Sequence, residues 1–216
     1  HHVVGRFLRN PDNPTLVSFP RTGSHWFRLI CEEYFQRPTL VRVLTRQRGG
    51  RFLFIHTHDN DLRVRRANVL YLYRDPGPTV FSQMKYMEEP LEDESRVRFW
   101  GRQYAAHLKK WLLDEDFTRW KTVLRYERLR SRPMEEFAKV TGHFNEPLDE
   151  ERLRETLTVC SKNRIQQFTE SYDAKVIKKS EDYENQRARF LERFEPVLRD
   201  VFRETDPRLP DAFDRD

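Results

Sequence analysis

The apolar positions of this chain switch between two periods. Residues 15–19 (TLVSF) are a short run of strand formers that stops at Pro20, and beyond Gly23 the apolar residues fall at Phe27, Ile30, Cys31 and Tyr34. That is the spacing of one helical face, so the segment predicts strand, turn, helix. Residues 37–51 are polar and basic, with Gly49-Gly50 as a breaker, before a second predicted strand at 52–57 (FLFIHT) that runs into an Asp/Asn cluster. A third strand is predicted at 69–73 (VLYLY), followed by the turn Arg74-Asp75-Pro76-Gly77-Pro78 and a helix reaching Met87. Val97, Trp100, Tyr104, Ala105, Leu108, Trp111 and Leu112 keep helical spacing and predict a long amphipathic helix over 96–113. A fourth strand is predicted at 122–126 (TVLRY), then a helix that Pro133 starts and that ends near Gly142, then another over 149–159. Phe190, Phe194, Val197, Leu198, Val201 and Phe202 predict a last helix, which Pro196 should kink or restart. Strands alternating with helices imply the α/β class, with a mainly parallel sheet flanked by helices, right-handed crossovers and a single domain over 1–216.

Composition narrows the function classes. Charged residues make up 35% and the hydrophobic set 37%, but 40 Lys+Arg face 35 Asp+Glu, so the net charge is only +5 and the chain is no polyelectrolyte tail. Its 16 Phe, 8 Tyr and 4 Trp supply the buried area of a globule with a charged skin. Basic residues alternate with acidic ones instead of forming tracts, which argues against nucleic acid as a partner. No apolar run approaches the ~18 residues that cross a bilayer, and no signal peptide opens the chain, so a cytoplasmic location without a membrane partner is expected unless an N-terminal anchor has been removed. His1 and His2 open the chain without a Met, as a tag remnant would, and are left out of metal-site reasoning. Cys31 and Cys160 have no CxxC spacing and read as core residues.

In open α/β sheets the ligand site lies beyond the carboxyl ends of the strands. After the first strand comes Pro20-Arg21-Thr22-Gly23-Ser24-His25-Trp26, leading into a helix N-terminus. Backbone N–H groups and the helix dipole there, with the hydroxyls of Thr22 and Ser24 and the charge of Arg21, make an anion cradle, although an ordinary N-capped helix has the same look. The pattern GxxxxGK[ST] is absent, so this is no Walker A loop. After the third strand, Arg74 stands at the strand end and Ser82 eight residues on, a second basic-plus-hydroxyl pair that suits a ligand with two separated phosphates; a surface pair of Arg74 with Asp75 is the alternative.

These residues resemble the sulfotransferase superfamily, whose donor is 3'-phosphoadenosine 5'-phosphosulfate. SFPRTGSHW is similar to the family's 5'-phosphosulfate loop, with Arg21 where Lys is usual, and YRDPGPTVFSQ is similar to its 3'-phosphate motif. Phe54-Ile55-His56-Thr57-His58 resembles the Lys-Thr-His segment of the cytosolic branch, and Tyr126-Glu127-Arg128-Leu129 a Tyr-Glu-Asp-Leu segment, so the resemblance spans about residues 15–165 in the family's order.

The resemblance implies a P-loop-like sulfotransferase fold and metal-independent transfer of a sulfuryl group to a hydroxyl or amine, leaving adenosine 3',5'-bisphosphate. Arg21, Thr22, Gly23, Ser24 and His25 would hold the 5'-phosphosulfate, and Arg74 and Ser82 the 3'-phosphate, over which Lys178 and Lys179 would close. Trp26, Tyr126 and Ser161 would contact the adenine, although Trp26 and Tyr126 serve equally as core aromatics. His58 would be the general base, with Glu33 or Asp59 as the carboxylate alternative. His56 replaces a family Lys that neutralises the bridging oxygen, which leaves Arg21 as the main stabilising charge. Bonds from the histidines to Asp59 or Asp61, or metal ligation by the four, are the other readings of HTHDND. The implied partner is a small-molecule or carbohydrate acceptor, with the protein a monomer or homodimer. Arg42, Arg46, Arg48 and Arg51 would meet an anionic acceptor or form a solvated loop, and residues 85–98 would be a lid or a linker. The rival reading is a non-catalytic module that binds a polyanion such as nucleic acid.

Overall fold

The computed structural model of the protein describes Phe7 and residues 9–40, 52–114, 118–161 and 182–214. The strands are β1 (Thr15–Ser18), β2 (Ile55–Thr57), β3 (Asn68–Tyr73) and β4 (Trp120–Arg125). The helices in chain order are α1 (Ser24–Phe35), α2 (Pro76–Tyr86), α3 (Glu94–Leu108), α4 (Tyr126–Ser131), α5 (Pro133–His143), α6 (Glu150–Val159), α7 (Tyr183–Thr205) and α8 (Asp211–Asp214). They fall into two units, residues 1–73 with 115–161 and residues 74–114 with 162–216.

The first unit is built on the sheet, in the order β2-β1-β3-β4 and parallel at every pairing. Leu16, Leu70, Leu72 and Leu124, alternate residues of their strands, share one face. Phe27, Ile30, Cys31 and Tyr34 of α1, Phe137 and Val140 of α5 and Leu153 of α6 close one core with them. Val17, Val69 and Tyr71 of the opposite face are also fully buried, as a parallel sheet requires. β2 is shorter than the apolar run FLFIHT suggests. Leu53 and Phe54 are instead buried core residues, and their backbone pairs with the start of the α1–β2 connection, through Leu53 N to Pro38 O and Leu40 N to Phe54 O, each 2.8 Å. β4 likewise ends at Arg125, and Tyr126, expected as its last residue, opens α4.

The second unit packs α2, α3 and α7 around Val80, Phe81, Met84, Val97, Phe190, Phe194 and Leu198. Gly101 lets α3 and α7 approach closely, since a Cβ there would sit 2.9 Å from Leu198 Cδ2. The helix expected over 96–113 changes period on the way, passing from α3 into a π-helical turn at Lys109–Leu113 that buries Trp111. α7 continues through Pro196 without restarting, because its buried face on both sides of the proline holds the helix where a backbone hydrogen bond is missing. The charged corner between α2 and α3, expected as a lid or linker, is tied to itself: Glu89 takes Arg96 and Trp100 Nε1 (2.7 Å), and Asp93 caps α3 through Ser95 N.

Candidate active site

β1 leads into α1 through a turn whose shape its sequence explains. Arg21 and Gly23 both adopt left-handed backbone, with φ of 70° and 90°. Thr22 is fully buried and its hydroxyl donates to Phe19 O at 2.8 Å, so it ties the turn shut from within. Gly23 is demanded twice, by its φ and by the ring of Tyr126, whose Cδ2 would lie 2.4 Å from an added Cβ. The first turn of α1 has no acidic residue and no side-chain cap, and its first internal bond is Phe27 N to Gly23 O at 3.1 Å. Such a helix end, with its dipole and N–H groups facing outward, suits an anion.

β2 lies beside β1 and carries His56, and His58 follows directly on its last residue, Thr57. Ser18, the last residue of β1 and fully buried, meets both: its Oγ is 3.0 Å from His56 Nε2, and its carbonyl oxygen is 2.8 Å from His58 Nδ1. A carbonyl can only accept, so His58 Nδ1 carries the proton and the lone pair of the neutral ring is on Nε2. Burial pushes His58 below the ordinary histidine pKa, with Arg21 adding to the shift and Asp59 and the Ser18 carbonyl opposing it. Burial drives His56 well below it too, with His58, Arg28 and His25 adding. His56 is therefore neutral and supplies no charge in place of the family's Lys. Asp59 is held by Arg66 through two bonds of 2.7 and 2.8 Å and by the Thr57 hydroxyl at 2.8 Å, and Asp61 by Arg63. Among the described residues no three His, Cys, Asp or Glu side chains gather as metal ligands. Glu33 lies in the last turn of α1, two and a half turns from Ser24 and remote from β2's carboxyl end.

Trp26 and Tyr126 pack edge to face with centroids 5.8 Å apart, and Trp26 Nε1 donates to Cys160 O at 3.0 Å. That bond brings the Cys160–Ser161 corner beside Trp26, so Ser161 belongs to the same neighbourhood as the turn after β1. Both cysteines are free and buried, and burial raises both thiols, Cys160 to about 12.

In the second unit, Arg74 follows directly on β3. The Tyr104 hydroxyl accepts from Arg74 N at 3.0 Å and donates to Arg74 O at 2.5 Å, pinning the backbone from which the guanidinium projects. Ser82 is buried on α2. Sequence reasoning placed Tyr104 only in a core and gave no role to Ser18, although Ser18 opens the SFPRTGSHW stretch. Lys178, Lys179, Arg42, Arg46, Arg48 and Arg51 lie outside the described residues.

A family model for the sulfotransferase domain matches residues 31–193, most of the chain. The chain belongs to the sulfotransferase family. Its general reaction class is sulfuryl transfer. The match begins at Cys31, so the turn after β1 lies upstream of it. Among solved structures, the mouse sulfotransferase SULT7A1 complexed with PAP aligns with a TM-score of 0.61 at 15% identity, covering 94% of this sulfotransferase and 87% of that chain. A retinol dehydratase in complex with androsterone and inactive cofactor PAP aligns with a TM-score of 0.61 at 13% identity, covering 94% and 84%. These likenesses extend the sulfotransferase fold over nearly the whole chain. No curated protein matches it. Among the described residues no helix is long and apolar enough to cross a membrane.

Proposed function

We propose that the chain is a sulfotransferase that takes 3'-phosphoadenosine 5'-phosphosulfate as donor and sulfates a hydroxyl or amine of a small-molecule or carbohydrate acceptor. The observation that carries this reading is the contact of His58 Nδ1 with the Ser18 carbonyl, which leaves Nε2 of a neutral imidazole as base. His58 Nε2 removes the acceptor proton as the acceptor oxygen or nitrogen attacks sulfur in line. The sulfur–oxygen bond to the bridging oxygen breaks, and its electron pair passes to the 5'-phosphate. Arg21 and the N-terminus of α1 stabilise that charge, with Thr22, Gly23, Ser24 and His25 shaping the cradle. Two features support the cradle: its left-handed residues and its uncapped, acid-free helix start. Arg74 and Ser82 take the 3'-phosphate, with Lys178 and Lys179 assigned to it by the family resemblance alone. Trp26, Tyr126 and Ser161 meet the adenine. Support for this donor comes from the two solved neighbours, both bound to PAP, adenosine 3',5'-bisphosphate.

The test is calorimetric titration with adenosine 3',5'-bisphosphate, ADP and a short oligonucleotide. The reading expects saturable binding that requires the 3'-phosphate. Equal response to the two nucleotides, or salt-sensitive binding of the oligonucleotide in their place, would sink it.

A further inference from the structure

The loop that joins β2 to β3 holds Arg63 with Asp61 and Arg66 with Asp59, pairs that differ in burial. Arg63 and Asp61 meet at 2.9 Å with 92% and 50% of their side chains exposed, so water and salt screen them. Arg66 grips Asp59 through two bonds, of 2.7 and 2.8 Å, and the Asp59 side chain is only 5% exposed. Asp59 follows directly on His58. We propose that Arg66 is a positioning residue for the base: its two-bond grip on Asp59 balances the carboxylate next to His58, so that the imidazole rests without an extra proton.

This inference rests on the reading of His58 as base and adds the group that keeps the base ready. A buried carboxylate beside an imidazole favours the protonated ring, which has no lone pair left to act as a base. The place of this carboxylate is set by the local backbone. Asp59 is left-handed, with φ of 39°, a conformation that aspartate adopts more readily than most residues. Its N–H donates to the Thr57 hydroxyl at 3.1 Å, and the same hydroxyl donates to Asp59 Oδ1 at 2.8 Å. This closed turn fixes the carboxylate, and the planar fork of Arg66 meets it there. The other groups that act on His58 are Arg21, which disfavours its charged form, and the Ser18 carbonyl, which favours it as Asp59 does. His56 lies against the His58 ring with centroids 4.8 Å apart, and His25 and Arg28 of α1 act on His56. Loss of Arg66 removes a positive charge and releases a negative one. Both changes move the His58 titration upward.

Ring-nitrogen NMR on the 15N-labelled full chain reads that titration. Arg66→Met should raise the His58 midpoint by about one pH unit, and Asp59→Asn, which keeps the size of the side chain and removes its charge, should lower it. The double variant has neither charge and should titrate within about half a unit of wild type. Arg66→Lys, which keeps the charge and loses the fork, should return most of the shift. A merely structural role has a different signature: a loosened loop admits water to His58 and raises the midpoint in every variant, Asp59→Asn included. Such a common rise, or an unchanged midpoint in a folded Arg66→Met chain, overturns the proposal. Should Arg66→Met fail to fold, Asp59→Asn decides by itself, and a midpoint that does not fall overturns the proposal. Calorimetry of the wild type with adenosine 3',5'-bisphosphate separates the two ideas. A wild-type chain that does not bind this nucleotide removes the donor reading while leaving the ring titrations to decide the role of Arg66.

Discussion

β1 and β3 each end in a turn that opens a helix, α1 of 12 residues and α2 of 11, yet the two helix starts offer an anion different things. The first turn of α1 consists of Ser24, His25 and Trp26, each with a backbone N–H, behind a left-handed glycine. The first turn of α2 is Pro76, Gly77 and Pro78, and two of these three have no N–H at all. Thr79 N is already spent on Asp75 O at 3.2 Å, and its hydroxyl on the same carbonyl at 2.8 Å. An anion at α1 therefore meets backbone and dipole, whereas an anion near α2 must be held by side chains. A phosphate site built from backbone depends on the shape of its turn, and one built from side chains depends on the identity of one or two residues.

The largest effect is expected beside the first turn. His58→Ala should lower kcat by about 10²- to 10⁴-fold, the usual contribution of a general base, while leaving nucleotide affinity intact. Steady-state rates beside calorimetry separate the two. Arg74→Ala should weaken adenosine 3',5'-bisphosphate by about 10- to 100-fold, as a lost charge-assisted bond does, and should leave a nucleotide without the 3'-phosphate unaffected. Equal losses for both nucleotides would break the comparison, because Arg74 would then act on the whole site.

Gly23→Ala tests shape against identity. It forces a side chain into φ 90° and against the Tyr126 ring, so a loss of about 2 kcal/mol in stability is expected by urea unfolding, with donor affinity falling alongside it. The pH dependence should also divide the two regions. His58 is held below the ordinary histidine value by burial, so the neutral base persists as pH falls past 6.5. The rate should fall about tenfold per pH unit only below the lowered pKa, where the ring takes up its proton, while binding through Arg74 stays level. A rate that declines from neutrality downward would remove His58 as base. The smallest effect is expected for Pro78→Ala: it restores one N–H to the start of α2, and nucleotide affinity should change less than about threefold if side chains do the binding there.

The parts of the fold that could be read in advance rest on local rules. The strand-turn-helix of residues 15–35 follows from an apolar run, a proline and a left-handed glycine followed by a helical stripe, and it is observed as β1 and α1. Misreadings came where tertiary partners override a local signal. Phe52-Leu53-Phe54 looks like strand, but Leu53 and Phe54 are drawn into the core and pair with residues 38–40 instead. Pro196 looks like a helix break, but the packed face of α7 carries the helix past it. Of the site, the turn residues, both histidines and Arg74 announce themselves by residue type. Tyr104 does not, because a tyrosine on an amphipathic stripe has the spacing of any core residue.

The sequence by itself determined the α/β class, the positions of the turns, the missing N–H groups of Pro76 and Pro78, and the presence of two histidines at alternate positions where one strand ends. These are properties of neighbouring residues, and periodicity and turn chemistry are local. Tertiary structure alone decided which nitrogen of His58 carries the proton and what charge His56 bears. The carbonyl that sets the tautomer belongs to Ser18, 40 residues away. Every residue has a carbonyl, so nothing in the sequence marks this one. The neutrality of His56 comes from burial, which exists only once the strands have been brought side by side.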